Sequence, residues 1–200
     1  MPIIRLPNGS LRDEVRQPLY DTIDIDAAEP ATGTRSYFSD VQGKPRSLTN
    51  LTQNNLLETA KSFRCQGLAW DAQNFYEANA KALALIMEHS SLRFIVGEKD
   101  YLVLPGVFAA GRVEQNAAVA VPAAAPLAIE RLHQKYGQGA VAAVVLTGKH
   151  VVDINPVQSF RVDWVVEGMT ATEITATTPA ANTKLRFTGS LKGLLRRPVQ

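Results

Sequence analysis

The chain has 200 residues, 46% of them hydrophobic and 20% charged, with a formal net charge of +2. This is the composition of a soluble globular chain long enough for one domain with a core of its own. The single cysteine, Cys65, excludes an internal disulfide framework and a multi-cysteine zinc site, and the charge balance argues against a protein built mainly to grip nucleic acid. No run of about 18 apolar residues reads as a spanning helix, and Met1 to Arg16 lacks the apolar stretch of a secretory signal, so the chain is expected to be made inside a cell.

Residues 1–55 carry Pro2, Pro7, Pro18, Pro30 and Pro45 and few apolar side chains beyond the alternation Ile23-Asp24-Ile25-Asp26. They offer little apolar area to offset the entropy of ordering them. They are read as an extended N-terminal arm lying along a neighbouring surface, or as a partly disordered leader. Residues 56–200 form the second unit, a single β-sandwich. Deleting residues 1–40 is then expected to leave a folded monomer that assembles less well.

Ser62 to Trp70 is near strand period. From Asn74 to His89, Phe75, Ala78, Ala82, Leu85 and Ile86 recur at helical spacing, with Asn74 as the N-cap. Ser91 to Leu104 reads as a hairpin around Gly97-Glu98-Lys99-Asp100, and Ala117 to Pro126 as a surface crossing. Leu127 to Tyr136 is read as a short helix opened by Pro126. Val141–Leu146, His150–Ile154, Phe160–Val166, Met169–Thr178 and Thr183–Leu195 follow as strands, the last interrupted at Gly193. The whole predicts a mainly β, antiparallel sandwich or barrel with one or two short helical insertions.

Chemistry-bearing patterns are few. His89, His133 and His150 share no metal-ligand spacing, and Asp21, Asp24, Asp26 and Glu29 lack the central glycine of a calcium loop, so a solvated strand face is expected there. Gly148-Lys149 lacks both the upstream glycine and the following Ser or Thr of a phosphate loop. Cys65 is expected to be a buried core thiol rather than a nucleophile. No catalytic residue, metal, cofactor or small-molecule substrate is assigned.

One charge asymmetry stands out. No acid follows Glu173, while Lys184, Arg186, Lys192, Arg196 and Arg197 crowd the C-terminus and Asp21, Asp24 and Asp26 the N-terminal segment. Basic strand edges discourage aggregation. These eight residues also predict contacts between copies or with another anionic partner, such as a genome or an internal membrane.

Three stretches carry a resemblance: Ile154-Asn155-Pro156-Val157-Gln158-Ser159-Phe160-Arg161-Val162, Leu185-Arg186-Phe187-Thr188-Gly189, and the tail Arg196-Arg197-Pro198-Val199-Gln200. Phe38-Ser39-Asp40-Val41-Gln42-Gly43-Lys44 adds to it. Together, from Phe38 onward, they resemble the single jelly-roll capsid proteins of tailless icosahedral bacteriophages. The resemblance implies a jelly-roll sandwich, no catalysis, self-assembly with further virion proteins, and a place in the virion after synthesis in the host cytoplasm. Val107, Phe108, Val119 and Val121 are the apolar residues expected to face neighbouring copies. The alternative is a sandwich that binds a carbohydrate or protein ligand, with Trp70, Tyr101, Phe160 and Trp164 as a stacking surface.

Overall fold

The structure, a computed structural model, describes residues 3–5, 11–27, 29–74, 79–110, 113–115, 134–136, 144–181 and 183–199. Its strands begin with β1 (Ile3–Arg5), β2 (Leu11–Arg16), β3 (Leu19–Asp26), β4 (Gly33–Tyr37) and β5 (Ser62–Asn74). Helix α1 (Ala80–Glu88) leads to the hairpin of β6 (Ser90–Val96) and β7 (Lys99–Pro105), then to α2 (Gly106–Ala110). Short strands β8 (Val113–Gln115), β9 (Gln134–Tyr136), β10 (Val144–Val145) and β11 (Val152–Ile154) precede β12 (Phe160–Val166), α3 (Ala171–Ala176) and β13 (Lys184–Pro198).

Among the described residues two antiparallel sheets result, one of them curled into a half-barrel; the larger is built on long strands. Its axis is the pair of long strands β13 and β5, joined from Arg186 opposite Gln73 to Arg196 opposite Ser62. The other side of β13 is covered in two pieces, β3 along Lys184–Leu191 and β2 along Leu194–Pro198. The interruption falls at Gln17-Pro18, where proline has no N–H to give the ladder. Strands β9, β10 and β11 share the outer side of β5. The smaller sheet runs β4-β12-β6-β7, with Val162 opposite Tyr37 on one side and Phe94 on the other.

The core lies between the sheets, because alternation sends one face of each strand inward. Phe160, Val162, Trp164 and Val166 of β12 are buried against Trp70 of β5 and Leu185 and Phe187 of β13. The Trp164 ring lies 4.5 Å from Phe187 and 5.6 Å from Trp70, centroid to centroid. Both indole N–H groups are satisfied: Trp70 donates to the Tyr37 hydroxyl at 2.7 Å and Trp164 to Ser90 Oγ at 2.9 Å. Burying two tryptophans without orphaning their donors is what lets so much aromatic area sit in one place.

Several expectations change. The segment to residue 55 is extended, but β2, β3 and β4 pair with β13 and β12 of the same chain, and Leu19, Ile25, Tyr37, Phe38 and Val41 are buried. Deletion of residues 1–40 would strip all of these but Val41 from the core, so a folded monomer is not expected to survive it. Helix α1 starts at Ala80 rather than Asn74, because β5 runs on to Asn74 in register with β9; residues 75–78 lie outside the described residues. The hairpin loop tightens to Gly97-Glu98, with Gly97 at φ +62°, a conformation glycine adopts without steric cost.

Met169–Thr178 is not a strand. Thr170 and Glu173 form a reciprocal capping box that starts α3, and local capping outweighs the weak alternation. The helix expected over 127–136 ends in a strand, β9, and its remainder lies outside the described residues, as do the crossing at 117–126, Val119, Val121 and His133. Gly193 does not interrupt β13. A β-bulge opposite it lets the chain pass, and a Cβ on Gly193 would sit 2.0 Å from the Arg64 carbonyl oxygen. Among the described residues no helix is long and apolar enough to cross a membrane.

Candidate functional site

The acidic and basic segments singled out in the sequence meet within one chain. Because β3 runs antiparallel to β13, Asp24 falls opposite Arg186 and Asp26 opposite Lys184. Arg186 clamps the Asp24 carboxylate through Nε at 2.8 Å and Nη2 at 3.0 Å, and Lys184 adds a third bond at 2.8 Å. Burial pushes the Asp24 carboxyl up, but the hydrogen bonds and charges of Arg186 and Lys184 outweigh it and hold the group below its ordinary value. The hydrogen bond from Arg186 to Asp24 in turn raises the guanidinium.

The same logic repeats where β2 borders β13. Arg196 faces Glu14 and donates to it at 2.8 Å, and Arg197 faces Asp13 at 3.4 Å. Lys192 is half-buried, and burial lowers its ammonium pKa against the opposing pull of Asp71. Asp26 is exposed at the end of β3. The complementarity expected between copies is thus present as a cross-strand ladder that ties the N-terminal strands to the last one.

Asp21 departs from the expected solvated face. It is fully buried, accepts the Phe38 N–H at 2.7 Å, and pairs with Lys44 at 3.0 Å. Its role is architectural. Among the described residues no group of three or more His, Cys, Asp or Glu side chains stands close enough together to hold a metal ion.

The nucleophile candidates are similarly placed by packing. Cys65 is fully buried on β5 and donates weakly to the Gly67 carbonyl at 3.5 Å; burial pushes its thiol up to about 12. A thiol so held is protonated at neutral pH and does not act as a nucleophile. His89 closes α1, with Nδ1 3.2 Å from the Glu167 carbonyl. Of the aromatics considered as a stacking surface, Trp70, Trp164 and Phe160 are in the core, and Tyr101 alone is exposed.

Two surface features take their form from tertiary structure. The first is an apolar ridge. Val103 on β7 and Val107 and Phe108 on α2 are 58%, 51% and 65% exposed. Sequence predicted exposure of Val107 and Phe108, though in a loop rather than a helix.

The second is a cleft of about 470 Å³ between β7 of the smaller sheet and the β10–β11 segment of the larger. Leu102, Leu146 and Val152 form its apolar part, with Lys99, Lys149 and His150 also lining it. Lys149 and His150 sit in a single 3₁₀ turn, Gly148–His150. No spacing in the sequence links Lys99 to Lys149, because β7 carries one and the 3₁₀ turn between β10 and β11 the other; the one local signal is the exposed Tyr101, under the Lys99 ammonium at 5.0 Å from the ring centroid.

No family model matches the chain, nor does any curated protein or solved structure.

Proposed function

We propose that this protein is a non-enzymatic structural subunit that assembles with copies of itself, its sandwich the jelly roll of a tailless bacteriophage shell. The observation that carries the reading is the ridge of Val103, Val107 and Phe108. Large apolar side chains left in water on adjoining elements are what an interface between protein molecules requires. The resemblance of the segments around Phe160, Phe187 and Arg196 gives the assembly its viral character.

Two further features agree with a building block. The ion-pair ladder locks the N-terminal strands to β13, so the subunit presents a rigid body to its neighbours. The buried Cys65 thiol supplies no nucleophile. Further virion proteins, and a genome or internal membrane against the basic tail, belong to the same proposal.

Light scattering and sedimentation of the purified protein test it. Large assemblies are expected, and Val107→Asp with Phe108→Asp is expected to reduce them to monomers with an unchanged far-ultraviolet spectrum. Because both positions are exposed, the variant keeps its core. A monomeric wild-type protein at every salt concentration would overturn the reading.

A further inference from the structure

The two sheets do not close on one another at β7. This strand pairs with β6 on one side, and among the described residues no strand pairs with its other side. Facing it across the cleft, β10 and β11 are short pieces that, among the described residues, pair with β5 alone. The cleft is therefore a seam between two sheet edges, and the backbone N–H and C=O groups along the β7 edge are a template for a further strand.

Charge says what kind of strand fits. Among the described residues, Lys99 and Lys149 have no carboxylate partner, whereas Asp100, which also lines the cleft, is held by Arg93 at 2.6 Å. The seam is left cationic around an apolar interior of Leu102, Leu146 and Val152. A second copy of β7 would bring a single carboxylate, Asp100, which Arg93 already holds. The chain's own N-terminal strand β2 already has Asp13 and Glu14 engaged by Arg197 and Arg196.

We infer that the β7 seam is a docking site for an extended acidic segment of a different protein, added as a strand along β7. Its acidic side chains meet Lys99 and Lys149, and its alternate apolar side chains enter the seam beside Leu102 and Leu146. Backbone bonds supply affinity, and the charges select acidic over neutral segments. The site adjoins the apolar ridge at Val103, which β7 also carries, but Lys99 and Lys149 lie outside that ridge.

The test is a fluorescence-anisotropy titration of the full chain against a labelled peptide of about eight residues alternating Asp and Val. Three competitors accompany it: the Asn-for-Asp peptide, a version with proline at two central positions, and oligothymidylate. The Asp/Val peptide is expected to bind. The neutral and proline versions, and a Lys99→Glu/Lys149→Glu protein, are each expected to bind at least about tenfold more weakly. Lys99 and Lys149 are surface residues, so the double variant retains its fold, checked by its melting profile.

No binding up to millimolar peptide overturns the inference. So does equal affinity for the proline version, which would mean that backbone pairing plays no part. Tighter binding of oligothymidylate would replace the strand site with a nucleic-acid surface. Light scattering on the same samples separates this result from the assembly reading, since either property can be lost while the other persists.

Discussion

The backbone N–H of Phe38 donates to the carboxylate of Asp21 at 2.7 Å, across seventeen residues of sequence and wholly inside the protein. Phe38 stands at φ +70°, a left-handed conformation rare for a bulky residue, and its ring is buried 5.4 Å from Phe160. One charged acceptor thus holds the chain where it leaves β4, and Lys44 balances the charge from the other side at 3.0 Å. Strain at Phe38 persists because Asp21 and the aromatic packing over-determine it.

Asp21→Ala is therefore expected to cost about 3 kcal/mol, since it orphans a buried N–H and leaves Lys44 without its carboxylate. Asp21→Asn, which keeps an acceptor, is expected to cost less. Urea unfolding of the three proteins checks the order. Equal stability of wild type and Asp21→Ala would show that the Phe38 turn holds itself.

Asp24 predicts the acid limb of the stability curve. Its carboxyl is held below the ordinary value in the folded protein, so the unfolded state binds the proton more tightly. The stabilisation is fully present above the unfolded value near 4 and is lost as pH falls through the lowered folded value. Asp24→Asn is expected to be less stable than wild type by about 1 kcal/mol at pH 7, discounted for the partly exposed lysine and arginine partners. That gap should narrow below pH 4, measured by denaturant titration at several pH values. A gap independent of pH would remove the ion pair from the explanation.

Cys65 should resist thiol reagents while the protein is folded. Its burial and raised pKa leave almost no thiolate at pH 8, so labelling by a disulfide reagent should follow global unfolding and accelerate in denaturant. Stoichiometric labelling of the native protein within minutes would contradict this placement.

Gly193 tests the bulge. Alanine there would drive a methyl group into the Arg64 carbonyl, so Gly193→Ala should lose about 1–3 kcal/mol although β13 is otherwise a good strand. The melting temperature reads the effect directly. An unchanged value would mean that β5 slides to make room.

Much of the β architecture was legible locally. The stretch Phe160–Val166 has the bounds of β12, with only Asp163 buried on the face expected to be wet, and the glycine-centred turn after Val96 marks the β6–β7 hairpin. These signals survive because both partners of the pattern lie within a few residues. The expected strand at 169–178 failed where two local signals competed and the Thr170–Glu173 cap prevailed. The N-terminal segment was misjudged for a different reason. Sparse apolar residues look unable to fold alone, yet Leu19, Ile25 and Tyr37 need only the surface that β13 and β12 provide.

The amino-acid order by itself determined the strand-rich class, the solitary cysteine, and the two blocks of opposite charge at the chain's ends. Only the tertiary structure decided that those blocks neutralise each other within one chain, because antiparallel register, set by contacts about 160 residues apart, brings Asp24 to Arg186. It likewise decided that Lys99 and Lys149 share a cleft while Trp70 and Trp164 share the core. Burial and edge position arise when whole sheets pack, and no short window of residues carries that information.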